Sequence, residues 1–475
     1  MASRRRAVGH ALWGRTHDAG AIDHADRPLQ TPFLTWIHPL DWFGLALILF
    51  AILAVLLCLG IPVAFSMGIA ASAMVILFLS PNMLVQMARV GFSVATSDIF
   101  LVAPLFILMA GLVSHSDIAQ RAYLAATKWL YWVPGALSVS TVVACTAFAA
   151  ISGSSPATAA AIGYASVPEM IRHGYSKRIA VGVVAAGGTL GILIPPSMVM
   201  VIYGILTETS IGSLFIAGIL PGLLLAAMMI AWVIFRSLRD GVTTSGTPRE
   251  IPSWAERRAS LSGIWPVLLL FVIVMGAIYA GFATTTEAAA LGAIGALLLT
   301  ISRPDMRLKG LSTVLLTTAQ STAMLMLLII FGSFFGFVVS RLGIAHGIVE
   351  AVTAAQMPGW MVLSLYILAL LVLGCFMDPA SMMVITLPLA FPVLKELGYD
   401  PIWLGVIVTI TVEIGMITPP VGLNLFVLKG IVPKDVSMTD IIAGAIPFVG
   451  VLIAGLLIIV AFPGIATWLP ALMKQ

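Results

Sequence analysis

Charged residues are scarce in this sequence: Asp, Glu, Lys and Arg make up 9% of its 475 residues, against about 25% in ordinary soluble domains. Hydrophobic residues make up 60%. This balance predicts an all-α, multi-pass protein of the lipid bilayer, because helices satisfy their own backbone hydrogen bonds in lipid. The net charge of +4 comes mostly from loop Lys and Arg, as in most membrane proteins, and does not indicate nucleic-acid binding.

Cysteine is also rare. Cys58, Cys145 and Cys375 lie far apart in apolar stretches, which argues against a disulfide framework or a zinc site. The motifs G-x-S-x-G and H-E-x-x-H and a Walker lysine loop are absent. We therefore expect no enzyme, no catalytic residues and no organic cofactor; an intramembrane enzyme stays as a remote alternative. Without an ATP site, transport would have to use an ion gradient.

Long apolar runs organise the rest of the chain, several of them about the 20 residues that span a bilayer. Short paired runs joined by a small-residue or proline-containing tip are typical of re-entrant hairpins. Thr284-x-x-Glu287 matches a helix capping box. We expect a polar, disordered tail at 1–40, scaffold spans at 41–97, a first repeat at 98–235 (hairpin 136–172, broken helix 179–206), a cytoplasmic loop with linking spans at 236–310, and a second repeat at 311–465 (hairpin 360–395, broken helix 401–428).

Basic residues predict the orientation. Loop 236–262 is the richest in arginine, so the positive-inside rule assigns it to the cytoplasm. Counting spans from there assigns the turns at 207–210, 281–284 and 395–401 to the outer side. The same count puts the Arg-containing tail outside, against the rule.

Two stretches predict a break in a membrane helix: Gly187–Ser197 (GGTLGILIPPS) and residues 411–422 (TVEIGMITPPVG). Paired prolines remove two backbone donors and push the preceding residue away from helical dihedral angles. Carbonyl groups freed at membrane depth are tolerated where they line a cavity, pair within the protein or bind something.

The two stretches belong to an internal repeat. A shift of 224 residues aligns Pro168 with Pro392, Gly191 with Gly415, both proline pairs, and Ser154 with Asp378. The predicted orientation makes the two copies inverted. Inverted repeats with paired broken helices indicate a secondary transporter whose site lies near the membrane midplane.

Hydroxyl groups mark the tip of the first hairpin, at Ser152, Ser154, Ser155 and Thr158. Hydroxyls and free amides at a helix N-terminus suit a carboxylate, and carbonyls of the facing break suit Na⁺. Close packing of small residues explains the same pattern, and the two interpretations are compatible.

Three polar residues stand out in the second copy, because intramembrane polar groups are costly. Asp378, with Ser381 at the same tip, could bind a cation or substrate, or cap a helix. Glu413 could be an ion ligand or a structural hydrogen-bonding group. Asn424 could supply a neutral oxygen or only bridge helices.

Over about residues 42–465 the chain resembles the large membrane subunit (DctM-like) of tripartite ATP-independent periplasmic (TRAP) transporters. The stretches that carry the resemblance are LGIPVAFSMGIA (59–70), SGSSPATAAAIG (152–163), PEMIRHGYSKRIAVGVVAAGGTLGILIPPSMVMVIYG (168–204), SLFIAGILPG (213–222), GFATTTEAAA (281–290) and EIGMITPPVGLNLFV (413–427).

This resemblance implies an elevator-type, Na⁺-driven importer of organic acids in the bacterial inner membrane. It implies two partners, a small four-helix membrane subunit and a periplasmic substrate-binding protein, with the organic anion between the hairpin tips. It implies one cation site at Ser152, Gly191, Ile194 and Pro196, and a second at Asp378, Glu413, Gly415, Thr418 and Pro420. Substrates range from C4-dicarboxylates to sugar acids. A stand-alone Na⁺/carboxylate or anion symporter of related architecture is the alternative.

Overall fold

The computed structural model describes residues 41–239, 251–301 and 308–473, with side chains from 310 in the last range. The predicted tail at 1–40 and parts of the predicted loop at 236–310 lie outside these residues. The described chain forms α-helices and short 3₁₀ turns without strands. The all-helical prediction is confirmed.

One group of helices contains the N-terminal spans and the central linking spans. The bounds are α1 Trp42–Cys58, α2 Val63–Phe78, α3 Val85–Ala95, α4 Val102–Ser114, α5 Ile118–Trp129, α11 Trp254–Ser260, α12 Trp265–Tyr279, α13 Thr285–Thr300, α14 Leu308–Arg341 and α15 Ile344–Ala354. α2 and α4 both pack along α14, and α4 also packs against α13.

A second group contains both proline pairs. The bounds are α6 Ala136–Ser152, α7 Ser155–Arg172, α8 Lys177–Leu193, α9 Met198–Thr207, α10 Ile211–Arg239, α16 Gly359–Gly374, α17 Pro379–Glu396, α18 Pro401–Met416, α19 Leu423–Ile431, α20 Met438–Ala461 and α21 Gly464–Met473. The centre of this group is α8, which packs against α6, α7 and α20.

Three described helices are long and apolar enough to cross a membrane alone: Ile211–Arg239, Gly310–Arg341 and Met438–Ala461. The number rises to 6 if each pair of helices bent at a short break counts as one span. One of these pairs is α8 with α9, bent by 40°. Interrupted and short helices therefore make up much of the apolar chain.

Helix boundaries recur along the chain. α7 begins at Ser155 and ends at Arg172, and α17 begins and ends 224 residues later, at Pro379 and Glu396. The glycine two residues after each helix has a positive φ, 82° at Gly174 and 85° at Gly398. The same shift relates the start of α8 to the start of α18.

Several helices were missing from the sequence prediction. α5 and α15 are amphipathic, with charged residues such as Arg121 and Glu350 between apolar ones. A search for uniform apolar runs passes over such helices, whereas the 3.6-residue period would have found them. At the start of α13, Thr284 and Glu287 exchange side-chain and backbone hydrogen bonds, which confirms the predicted capping box.

Close helix contact explains one pair of glycines. A Cβ atom on Gly444 of α20 would collide with the Arg178 carbonyl of α8, and one on Gly182 of α8 would collide with Gly444. Gly450, also on α20, is exposed and has open space around it.

We predict that Gly444→Ala destabilises the folded protein and that Gly450→Ala does not. Gly444→Ala forces α20 away from α8 and should destabilise the protein by about 1–3 kcal/mol. Gly450→Ala should be neutral or stabilising, because alanine favours helix. Thermal unfolding in detergent measures both. Equal melting temperatures for the two variants would contradict the packing described.

Candidate functional site

The first hairpin tip is a two-residue turn between α6 and α7. Gly153 takes a left-handed conformation with φ of 59°, and Ser154 caps α7 by accepting a hydrogen bond from the Ala157 amide at 3.4 Å. Pro156 lies in the first turn of α7, where the missing amide costs nothing.

The tip hydroxyls form a buried cluster. Ser152 Oγ and Thr158 Oγ1 are 2.5 Å apart, and Thr158 donates to the Ser154 carbonyl at 2.9 Å. Ser152, Ser155 and Thr158 are each at most 1% exposed. The tip is therefore preorganised, and its hydroxyls are withdrawn from bulk solvent.

The first break lies against this tip. α8 ends at Leu193 and α9 begins at Met198, capped by the Ser197 hydroxyl. The Met198 amide donates to the Gly153 carbonyl at 3.4 Å. A Cβ atom on Gly153 would lie 2.7 Å from the Pro196 carbonyl oxygen. The backbone of the hairpin tip therefore contacts the backbone of the helix break directly.

Gly191 makes the same approach from α8. A Cβ atom there would lie 2.6 Å from both the Ser154 carbonyl oxygen and Thr158 Oγ1. The structure therefore brings Ser152, Gly191 and Pro196, three of the residues predicted for the first cation site, to one tip. The fourth, Ile194, is in the break with extended backbone, φ −80° and ψ 122°.

The break carbonyls have no donor among the described residues. Within the described chain, the carbonyl oxygens of Ile194, Pro195 and Pro196 accept no hydrogen bond. All three residues are buried. Buried carbonyl groups without donors are ready ligands for a hard cation.

The second tip and break repeat the arrangement with different atoms. The Val421 and Gly422 amides both donate to the Cys375 carbonyl, at 3.2 and 3.4 Å. A Cβ atom on Gly415 would lie 2.7 Å from the Gly374 Cα. The peptide bonds Pro195–Pro196 and Pro419–Pro420 are both cis.

The carbonyl oxygens of the second break are also unused. In the described ranges, those of residues 417–420 accept no hydrogen bond. The Thr418 hydroxyl donates to the Ile414 carbonyl at 2.6 Å. Unlike the first break, this one is open on one side, because Pro420 and Val421 are exposed.

Asp378 caps α17. Its Oδ1 accepts from the Ala380 and Ser381 amides, both at 3.0 Å, and its Oδ2 accepts from the Ser381 hydroxyl at 2.5 Å. The capping interpretation is thus visible in the structure, and the binding role stays a prediction. No hydrogen bond in the described chain joins Asp378 or Ser381 to the first tip.

Glu413 is fully buried in α18, and neither carboxylate oxygen has a hydrogen-bond partner within the described chain. The structural hydrogen bond weighed from the sequence is not present there. A buried carboxylate without a partner is costly, so this group needs a bound cation or a proton.

Asn424 joins α19, which follows the second break, to α7 of the first hairpin. Its Nδ2 donates to the Ser155 hydroxyl at 2.5 Å, so that the start of α19 meets the start of α7. Both side chains are fully buried, and Asn424 Oδ1 has no hydrogen-bond partner in the described ranges. Asn424 bridges helices and keeps a free acceptor.

Sequence reasoning missed three contributors: Gly374, the Cys375 carbonyl and Ser197. Ser197 follows a proline pair and precedes an apolar run, which is a usual helix N-cap signal. No local sequence pattern predicts the contact between Gly374 and Gly415.

Comparison with known proteins identifies the chain. Residues 50–465 match the DctM component of the tripartite ATP-independent periplasmic transporters. The chain belongs to this family. It is 39% identical to a C4-dicarboxylate TRAP transporter large permease protein of Pseudomonas aeruginosa, over 85% of this chain and 93% of the relative. It is 37% identical to one of Vibrio cholerae, over 90% and 97%.

A solved structure shares the fold. The YdaH transporter of Alcanivorax borkumensis superposes with a TM-score of 0.54 at 15% identity, over 80% of this chain and 87% of that one. The resemblance to TRAP large permeases and the prediction of no enzyme are confirmed, because the relatives are transporter permeases.

We predict that Gly191→Ala and Gly415→Ala each reduce uptake about tenfold or more, because the added methyl group separates tip from break at a cost of about 1–3 kcal/mol. Uptake into vesicles, normalised to folded protein, measures the loss. Gly430→Ala is the control, since Gly430 has open space around it. Wild-type uptake by both site variants would contradict the tip contacts.

Proposed function

We propose that this chain is the large transmembrane subunit of a Na⁺-coupled secondary importer of organic acids in the bacterial inner membrane. The observation that supports the proposal most directly is that a hairpin tip contacts each helix break through backbone hydrogen bonds. The Gly153 carbonyl accepts from Met198, and the Cys375 carbonyl accepts from Val421 and Gly422. Paired broken helices of this kind are typical of secondary transporters.

The first cation site consists of Ser152, Gly191, Ile194 and Pro196. Its support is the group of three buried break carbonyls that accept no hydrogen bond from the described chain. Oxygen ligands suit hard cations, and a monovalent cation needs no negatively charged ligand to be held there.

The second cation site consists of Asp378, Glu413, Gly415, Thr418 and Pro420. Its support is Glu413, whose buried carboxylate has no hydrogen-bond partner among the described residues. One cation would offset that charge. The carbonyl oxygens of the second break, which accept no hydrogen bond from the described chain, would complete this site.

The organic anion binds between the tips, at Ser152, Ser154, Ser155, Thr158, Asp378, Ser381 and Asn424. Two features support this: the N-terminus of α7, which favours a carboxylate, and the Asn424–Ser155 hydrogen bond that brings the copies together. Relatives are named for isethionate, ectoine and sialic acid as well as C4-dicarboxylates. Substrate therefore varies within the family.

The transporter works with a small four-helix membrane subunit and a periplasmic substrate-binding protein. The relatives are TRAP permeases, which supports this assembly. We further propose that the two copies are inverted, with boundaries 98–235 and 311–465. The spans at 41–97 form the scaffold, and the two hairpins and two broken helices move together as the elevator.

We predict that Glu413→Gln raises the Na⁺ concentration for half-maximal uptake about tenfold or more, because it removes the charge but keeps the shape. Reconstitution with the small subunit and binding protein, under varied Na⁺, measures this. Glu396→Gln is the control, an exposed carboxylate at the end of α17. Asp378→Ala should also weaken the Na⁺ dependence.

Three results would contradict the proposal. Unchanged Na⁺ dependence in both Glu413→Gln and Asp378→Ala would remove the second cation site. Uptake independent of Na⁺ in the wild type would remove the coupling. Full uptake by this chain without a binding protein would favour the stand-alone symporter.

A further inference from the structure

A cavity of about 950 Å³ lies at the end of α9 that is remote from the first break. It is formed by the turn between α9 and α10, by α3 with the turn that follows it, and by the turn between α12 and α13. The turns at 207–210 and 281–284, both assigned by charge to the outer side, therefore meet at one cavity. We refer to it as the Glu208 cavity.

Nine of the 22 residues that line the Glu208 cavity have a side-chain oxygen, and one of the nine is charged. The described residues of the lining include five serines, three threonines and Glu208, with no Lys, Arg or His among them. Arg89 neighbours the lining residue Val90 in α3 but does not line the cavity itself. Such a lining repels an organic anion and attracts a cation.

Glu208 holds an unusual conformation. It follows the last residue of α9 with φ of 54°, in the left-handed region that glycine or asparagine normally occupies. Its side chain is exposed, and its carboxylate makes no hydrogen bond or ion pair within the described ranges. Neither helix termination nor a structural contact explains a glutamate here.

We propose that the Glu208 cavity is a collecting site for monovalent cations on the outer side, from which the coupling ion enters the transporter. The site rests on the Na⁺ coupling proposed above and adds an entry point to it. Glu208 raises the local cation concentration, and the hydroxyl groups replace part of the ion's hydration shell. α9 then separates this site from the break carbonyls by its 10 residues, about 15 Å.

Transport kinetics test the proposal. Glu208→Gln in the reconstituted transporter should raise the half-saturating Na⁺ concentration at low ionic strength about fivefold by slowing Na⁺ entry, because the Na⁺ concentration at the entry point falls by the factor for one unit charge about 4 Å away in water. The maximal rate should stay unchanged. The difference should shrink when an inert salt is added, because the Debye length shortens.

The variant Glu208→Gly distinguishes the effect of the carboxylate charge from the effect of the strained backbone. It removes the carboxylate and relieves the left-handed backbone, so it should fold at least as well as the wild type and match Glu208→Gln in Na⁺ dependence. Glu396→Gln, a carboxylate outside the cavity, should leave the half-saturating Na⁺ concentration unchanged. Wild-type Na⁺ dependence in both Glu208 variants would overturn the proposal.

A second readout does not depend on Na⁺ coupling. Ser210→Cys places a thiol in the exposed lining of the cavity, in a Cys58→Ser background that removes the exposed native thiol. Cationic and anionic methanethiosulfonate reagents of similar size are then compared. Adding Glu208→Gln should lower the cationic-to-anionic rate ratio about 25-fold, because the charge acts about fivefold on each reagent and in opposite directions.

The two readouts distinguish the possible failures. A charge-dependent labelling ratio without Na⁺-dependent uptake would leave the cavity cation-attracting and overturn the coupling. An unchanged labelling ratio in Glu208→Gln would overturn the cavity proposal, whatever the uptake shows.

Discussion

A helix interrupted inside a membrane leaves backbone groups that water cannot satisfy, and the arrangement of this protein follows from that constraint. Each proline pair creates such an interruption. At the first, the tip of a neighbouring hairpin accepts the Met198 amide; at the second, a single carbonyl accepts two amides. The donors are satisfied and the carbonyl groups are left over, which is why the breaks suit cations.

Small residues make this seating possible. Gly191 and Gly415 lie where a side chain would collide with the opposing tip, and Gly444 allows α20 to approach α8. The two breaks differ in access, since the first is buried and the second is open at Pro420. Two similar local structures thus face different surroundings.

Features with a strong local cause could be predicted from the sequence. Proline geometry located both interruptions, hydropathy predicted the helical class, and the capping box at Thr284 was visible as a motif. Pairings between distant residues could not be predicted. Asn424 meets Ser155, and Gly374 meets Gly415, only because the fold brings them together. From the sequence, the Asp378 carboxylate could cap a helix or bind a cation or substrate. The structure shows the helix cap.

The central claim is that each break holds a coupling cation on its free carbonyl groups. The most direct measurement is anomalous diffraction from crystals of the transporter in which Tl⁺ replaces Na⁺. The account predicts one peak within coordination distance of the Ile194 and Pro196 carbonyl oxygens and a second beside Glu413 and Thr418. Both peaks should disappear when excess Na⁺ is restored. Tl⁺ bound only at the protein surface, with no peak at either break, would contradict the account.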